Sequence, residues 1–323
     1  DGDLTVGIND GTTDLINVGT LTVNAGRTLT AGSYSNTGTI ALGAGATLQG
    51  TGNTLNNAGA LNVADGGTVT DAGAINNLAA GTITFAGNGS IDADDDNDSG
   101  GVDIITNDGA IVIAGAGSTV AVGTDALTNQ GTGTIAVNNG TMNGITTLAN
   151  TSSSATAINV AAGATLGFTT LNSSAGTVVA AGTLDGAVAL TGTADLDLNG
   201  GTITGTLDNQ STTAIALDGT VTGLFTQNNA GASATLDGAS TLTGGFTNTL
   251  GTLTVNAATD LGAASSNAGT LDINANITGG QTITNTGAVT LAGAITGSLT
   301  QTAGTTTVDG TSSVSGGMDI DGG

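Results

Sequence analysis

An asparagine that returns about every 18 to 20 residues constrains this chain more than any other feature, because a period of that length belongs to stacked supersecondary units. Asn248, Asn267 and Asn285 are each followed by a small-residue turn and then by Gly251, Gly269 and Gly287, which open the segments GTLTV, GTLDI and GAVTL. Within such a segment, Leu253 and Val255 alternate with Thr252 and Thr254. Alternation places the apolar pair on one face of a strand and the hydroxyls on the other, and no helix-period stripe competes with it. Strands this short bury nothing alone. Stacked in register, each pairs with its counterpart above and below, and the inward side chains of successive coils form one column.

The marker can be followed along nearly the whole chain. Asn17, Asn36, Asn57 and Asn77 lie about 20 residues apart, a longer gap leads to Asn107, and Asn129, Asn150 and Asn172 resume at about 22. Thr191 or Gly192 stands at the next equivalent place, then Asn209, Asn228, Asn248, Asn267 and Asn285 follow, with Gln301 or Thr302 in the last unit. The expectation is an all-β chain: a single continuous β-solenoid over residues 1–323, with roughly 16 coils of about 18–22 residues. Each coil is expected to carry three short strands separated by Gly-rich corners, as at Thr39–Leu42, Thr47–Gln49 and Thr54–Asn56, or at Thr270–Ile273, Asn276–Thr278 and Thr282–Thr284. At about 4.8 Å per coil, the stack would run about 75 to 80 Å.

Composition says what fills it. The chain has 57 Gly and no Pro, Cys, His or Trp, and only 2% aromatic residues. A thin core of Ala, Val, Leu and Ile is therefore expected, with Phe85, Phe168, Phe225 and Phe246 as inward fillers and Gly supplying the corners where φ is positive. Two readings of the recurrent Asn stay open: an inward amide ladder that bonds coil to coil, or a residue chosen because it tolerates left-handed turns.

Charge excludes some partners. One basic residue, Arg27, faces 25 acidic ones, all Asp, for a net charge of -24. Phosphate backbones and anionic membranes need a basic patch that this chain cannot form, so nucleic acid and membrane surfaces are not expected partners. No stretch approaches a membrane span, and DGDLTVGIND lacks the basic and apolar regions of a signal peptide, so a mature or excised piece is expected. The ends, opening on DLTVG and closing on DGG, show no capping unit. Their strand edges are expected to meet further solenoid coils or another copy end to end.

Units such as NTGTIALGAGATLQG, VGTLTVNAGRTLTAG and QGTGTIAVNNGTM resemble the repeats of filamentous haemagglutinin-type exoproteins and autotransporter passenger domains. The resemblance covers nearly the whole chain. It implies a right-handed parallel β-helix, extracellular on a bacterial surface, acting as an adhesin, stalk or fibre-forming matrix element toward cell-surface glycans or receptors. The secretion domain, capping segment and outer-membrane barrel of those families have no counterpart in these residues.

One segment breaks the period. AGNGSIDADDDNDSGGVD inserts an acidic loop at about residues 86–103, and with Asp92 as position 1 its acids Asp92, Asp94, Asp96, Asp98 and Asp103 fall at 1, 3, 5, 7 and 12. That is the spacing of oxygen ligands in a Ca²⁺ loop. Asn97 replaces the usual turn Gly, however, Asp103 replaces the bidentate Glu, and a solvated acidic loop is the competing reading.

Catalysis is not expected. Two carboxylates can cleave a glycoside, and Asp195 with Asp197, or Asp208 with Asp237, are the pairs to consider. A lyase would want a cation at the developing anion, for which only Arg27 exists, and a sugar platform would want aromatics, of which only Tyr34 is a candidate for exposure. A third class is binding to ice or another ordered surface through outward pairs such as Thr20/Thr22, Thr82/Thr84, Thr252/Thr254 and Thr305/Thr307. Ala60/Asn62, Ala110/Val112, Asp195/Asp197 and Ala214/Ala216 interrupt that pattern. Asn-x-Ser/Thr triplets at Asn88, Asn97, Asn150, Asn172, Asn209 and Asn276 are what a chain this rich in Asn, Ser and Thr contains by chance.

Overall fold

The computed structural model describes residues 2–6, 13–51, 54–70, 73–93, 104–123 and 126–321. The chain is a parallel β-solenoid of about 15 turns without helix. The count falls just below the expected 16. By contact the chain divides into two compact units, residues 1–171 and 172–323.

Each turn contributes one strand to each of three sheets. The expected trio Thr39–Leu42, Thr47–Gly50 and Thr54–Asn57 is present, one residue longer at two ends, and so are Thr270–Ile273, Ile277–Thr278 and Thr282–Asn285. The first sheet follows the recurrent Asn: Thr20–Val23 pairs in parallel with Thr39–Leu42, and that strand with Ala60–Val63. The second runs through Thr28–Ala31 and Thr47–Gly50. The third carries the Asn, as where Leu55, Asn56 and Asn57 stand over Ile75, Asn76 and Asn77. Such stacking in register satisfies backbone groups that a lone strand would leave open.

Burial follows the two-residue period. Thr39, Ile40, Ala41 and Leu42 alternate half-buried and buried, and Ile40, Leu61, Ile83, Ile111 and Ile135 form one inward column through the first unit. Each such side chain withdrawn from water contributes about 1.5–3 kcal/mol. Phe85, Phe225 and Phe246 are fully buried and Phe168 nearly so, as expected of fillers, and Phe225 lies in register with Phe246. Room for Phe85 comes from glycine: a Cβ on Gly89 would lie 2.9 Å from its ring. Tyr34 is also buried, against the expectation of exposure. It stands in register with Leu55, and its hydroxyl lies 2.8 Å from the carbonyls of both Leu29 and Gln49, either of which can accept its one proton, so the one polar group it carries inward is satisfied.

The recurrent Asn turns inward. In residues 1–171, the Nδ2 of Asn17 donates to Oδ1 of Asn36, Asn36 to Asn57, Asn57 to Asn77, Asn77 to Asn107, Asn107 to Asn129 and Asn129 to Asn150, at 2.7–2.9 Å. Every amide in this run points its donor toward the later turn. Most use a second N–H to hold a backbone carbonyl there, such as Asn36 to Ala60 or Asn107 to Thr134. The ladder also spans the longer gap between Asn77 and Asn107.

In residues 172–323 the marker drifts. Asn172 and Asn228 are exposed, and the buried places belong to their neighbours Ser173 and Gln227. Leu190, not Thr191, stands in register with Asn209. From there the ladder resumes: Asn209 to Gln227 at 3.2 Å, Gln227 to Asn248 at 3.3 Å, then Asn248 to Asn267 and Asn267 to Asn285 at 2.8 Å. The cause of the drift is parity. Only the residue whose side chain falls on the inner face of the strand can join the ladder, whatever the spacing of the letters.

Glycine before the first sheet is a steric requirement. A Cβ on Gly59 would collide with the carbonyl of Gly38, and one on Gly109 with that of Gly81. At the opposite corner the need is conformational: Gly26, Gly45 and Gly66 have φ of 63°, 66° and 73°, and each donates its N–H to a carbonyl of the following turn.

Candidate functional site

The acidic loop is the first candidate by sequence. Asp94, Asp96, Asp98 and Asp103 lie outside the described residues. Asp92 closes the strand Gly89–Asp92, half-buried, with its carboxylate lying over the backbone position of Gly123. Among the described residues, no three acidic side chains gather as a metal ion would require.

The carboxylate pairs separate by their place in the coil. Asp195 and Asp197 flank the buried Leu196 on one strand of the first sheet and both point outward. Burial of the Asp195 carboxyl, reinforced by the charge of Asp197, raises its pKa above the ordinary value, against the lowering effect of the Leu196 backbone N–H and the Thr177 hydroxyl. Asp208 lies on the Asn-bearing sheet, where one carboxylate oxygen accepts from Gln210 at 2.7 Å and the other is buried without a partner. Asp237 follows the end of the first-sheet strand, at the next corner. Asp208 and Asp237 thus occupy different faces and do not form a pair across one substrate.

The corner at Asp237 holds an arrangement that the recurrent Asn does not mark. Oδ1 of Asp218 accepts the backbone N–H groups of Asp237 and Gly238 at 2.8 and 2.6 Å. Oδ1 of Asp237 then accepts from Asn256 at 2.7 Å, and Asn256 accepts from Asn274 at 3.0 Å. This is a second, exposed chain of side-chain bonds, outside the core. Its signal in the sequence is the same turn-length spacing of Asp218, Asp237, Asn256 and Asn274, hidden by the more frequent inward Asn.

Arg27 borders a hollow of about 190 Å³ with Leu4, Leu21, Val23 and Leu29 in the first turns. Thr22, Asn24 and Thr28 add polar groups to this aliphatic lining, and no carboxylate lines it among the described residues.

The outward residues of all three sheets are mainly Thr and Ser. On the second sheet of residues 172–323 the hydroxyls turn back onto the protein: Thr222 donates to the carbonyl of Ile203, Thr278 to the carboxylate of Asp260, and Ser315 to the carbonyl of Thr296. What the described surface offers is a repeated wall of hydroxyls, amides and carboxylates. No family model matches the chain, and no curated protein or solved structure matches it either.

Proposed function

We propose that this chain is an extracellular structural or adhesive solenoid at a bacterial cell surface, without catalytic activity. The observation that supports this reading most is the buried amide ladder from Asn17 to Asn150, in which turn after turn uses its one recurrent polar side chain for continuity. A chain organised this way offers a long repeated wall to a partner. Multivalent engagement of surface glycans or receptors fits such a wall better than a single pocket does. The filamentous haemagglutinin-type and autotransporter-like repeats of the sequence are consistent with it.

Further coils, of this chain or of another copy, are the natural partners of the outermost turns. Leu4, Val308 and Ile320 are 54%, 59% and 59% exposed at positions that an added coil would cover. In the same reading the acidic loop holds Ca²⁺ through Asp92, Asp94, Asp96, Asp98 and Asp103. Titration calorimetry with Ca²⁺ is expected to give heat that disappears when Asp94 and Asp96 are changed to Ala, and unchanged heat would eliminate the site.

Antibody labelling of the source cells in electron micrographs tests the main reading. Label on the cell exterior, as tethered stalks or shed filaments, is the expected result. Label confined to the cytoplasm, or turnover of any member of a panel of neutral and acidic glycans, would overturn it.

A further inference from the structure

Five successive first-sheet strands in residues 172–323 carry an outward array that the chain-wide pattern conceals. One column reads Ser233, Thr252, Thr270, Ala288 and Thr305, and the other Thr235, Thr254, Asp272, Thr290 and Thr307, each residue in register with the next. Hydroxyls occupy every position except Ala288 and Asp272. Every interruption recognised in the sequence lies outside this stretch: Ala60/Asn62 and Ala110/Val112 break the same sheet in the first unit, and Asp195/Asp197 and Ala214/Ala216 precede the array.

The hydroxyls also differ in what they bond. Those of Thr252, Thr254, Thr270, Thr290, Thr305 and Thr307 make no hydrogen bond to any described residue, whereas second-sheet hydroxyls such as Thr222 and Thr278 are held by carbonyls and carboxylates. A hydroxyl left free on a pleated sheet must bond water. Thr235 alone among the threonines of the array turns its hydroxyl back, to the Ile215 carbonyl at 3.4 Å, and the ladder geometry sets the others on a grid, about 4.8 Å apart between turns and about 6.7 Å apart between the two columns. Each Thr adds a methyl group beside its hydroxyl, so water over the grid is ordered by hydrogen bonds while its lateral freedom is limited by apolar ridges. There is no aromatic ring on the array to stack on a sugar.

We infer that this array binds the surface of ice, by holding a layer of water in register with a lattice of similar repeat. The inference is independent of whether the chain is a cell-surface adhesin. Its central prediction is a depression of the freezing point relative to the melting point, with faceted ice crystals, in dilute solutions of the full chain. Thr254→Tyr combined with Thr290→Tyr places two rings in the middle of the grid and is expected to abolish the effect, while Thr84→Tyr, on the same sheet of the first unit, leaves it intact. Asp272→Thr completes a column and is expected to strengthen the effect, which keeps the test decisive if the double variant fails to fold by circular dichroism. Absence of thermal hysteresis in the unmodified chain would overturn the inference. So would equal loss in the Thr84→Tyr control, or retention on crystalline cellulose without hysteresis, which would assign the array to a polysaccharide.

Discussion

The two units build the same buried column from different residues. Between Asn17 and Asn150 it is all asparagine, with bonds of 2.7–2.9 Å. In residues 172–323 it begins with Ser173, passes through the apolar Leu190 and includes Gln227, whose two ladder bonds are 3.2 and 3.3 Å. Leu190 adds no polar atom that needs a partner, so the column can be apolar for one turn at little cost. Gln227 keeps the amide but adds a methylene. At that turn the strand Phe225–Leu236 runs on through the corner into the first sheet, and its register with the next strand shifts between Gln227 and Asn228 and again before Ser233. The strand Phe246–Val255, which carries Asn248, runs through its corner in the same way, so the comparison shows that the inner face accepts Asn, Gln or an apolar residue, with the shorter ladder bonds where asparagine meets asparagine.

Removing one amide from the unbroken run should have the largest effect. Asn107→Leu leaves the Asn77 donor, the Asn129 acceptor and the Thr134 carbonyl without their partner, and is expected to cost about 3 kcal/mol in chemical denaturation. The reverse change, Leu190→Asn, is expected to shift stability by no more than about 1 kcal/mol. Equal effects would remove the distinction between the units. Where the units agree, so should their variants. Gly59→Ala and Gly287→Ala each drive a methyl into the carbonyl of the glycine one turn before, and about 1–3 kcal/mol should be lost in both. Gly19, which meets nothing within 4 Å, is the neutral control.

Smaller effects refine the comparison. Gln227→Asn shortens the side chain at a turn already shaped for glutamine, and the loss of its weak bonds should cost about 1 kcal/mol, read from the same denaturation curves. The smallest is a pH effect. Because the folded chain holds the Asp195 proton more tightly than the unfolded chain does, this carboxyl penalises folding when ionised, and the penalty disappears as pH falls through its raised pKa. Asp195→Asn should therefore be the more stable protein at neutral pH, with the difference from the unmodified chain closing as the solution is acidified.

Period and alternation in the sequence were enough for the coil and its three strands, since Thr39–Leu42 and Thr270–Ile273 appear where those signals place them, whereas the inward ladder and the left-handed turn were equally open readings of the Asn until its bonds were seen. They did not separate Asn172 from Ser173 or Asn228 from Gln227, because a spacing of letters does not say which neighbour faces inward. Tyr34 is opaque in the sequence for a related reason: a phenol suggests surface unless backbone carbonyls stand where its hydroxyl falls, as those of Leu29 and Gln49 do. The free hydroxyls of residues 233–307 were legible as threonines but not as an array, since register and bonding decide that, and the chain-wide pattern obscured both. The chain of Asp218, Asp237, Asn256 and Asn274 lay in the same letters, but at a corner where no alternation marks it.

Nuclear magnetic resonance of the asparagine side-chain amides tests the stacked ladder most directly. The account predicts that the Nδ2 protons of Asn57, Asn77, Asn107 and Asn129 exchange with solvent far more slowly than those of the exposed Asn172 and Asn228, and that each shows magnetisation transfer to the asparagine one turn away. Fast exchange at all these positions, with no transfer between Asn77 and Asn107, would contradict it.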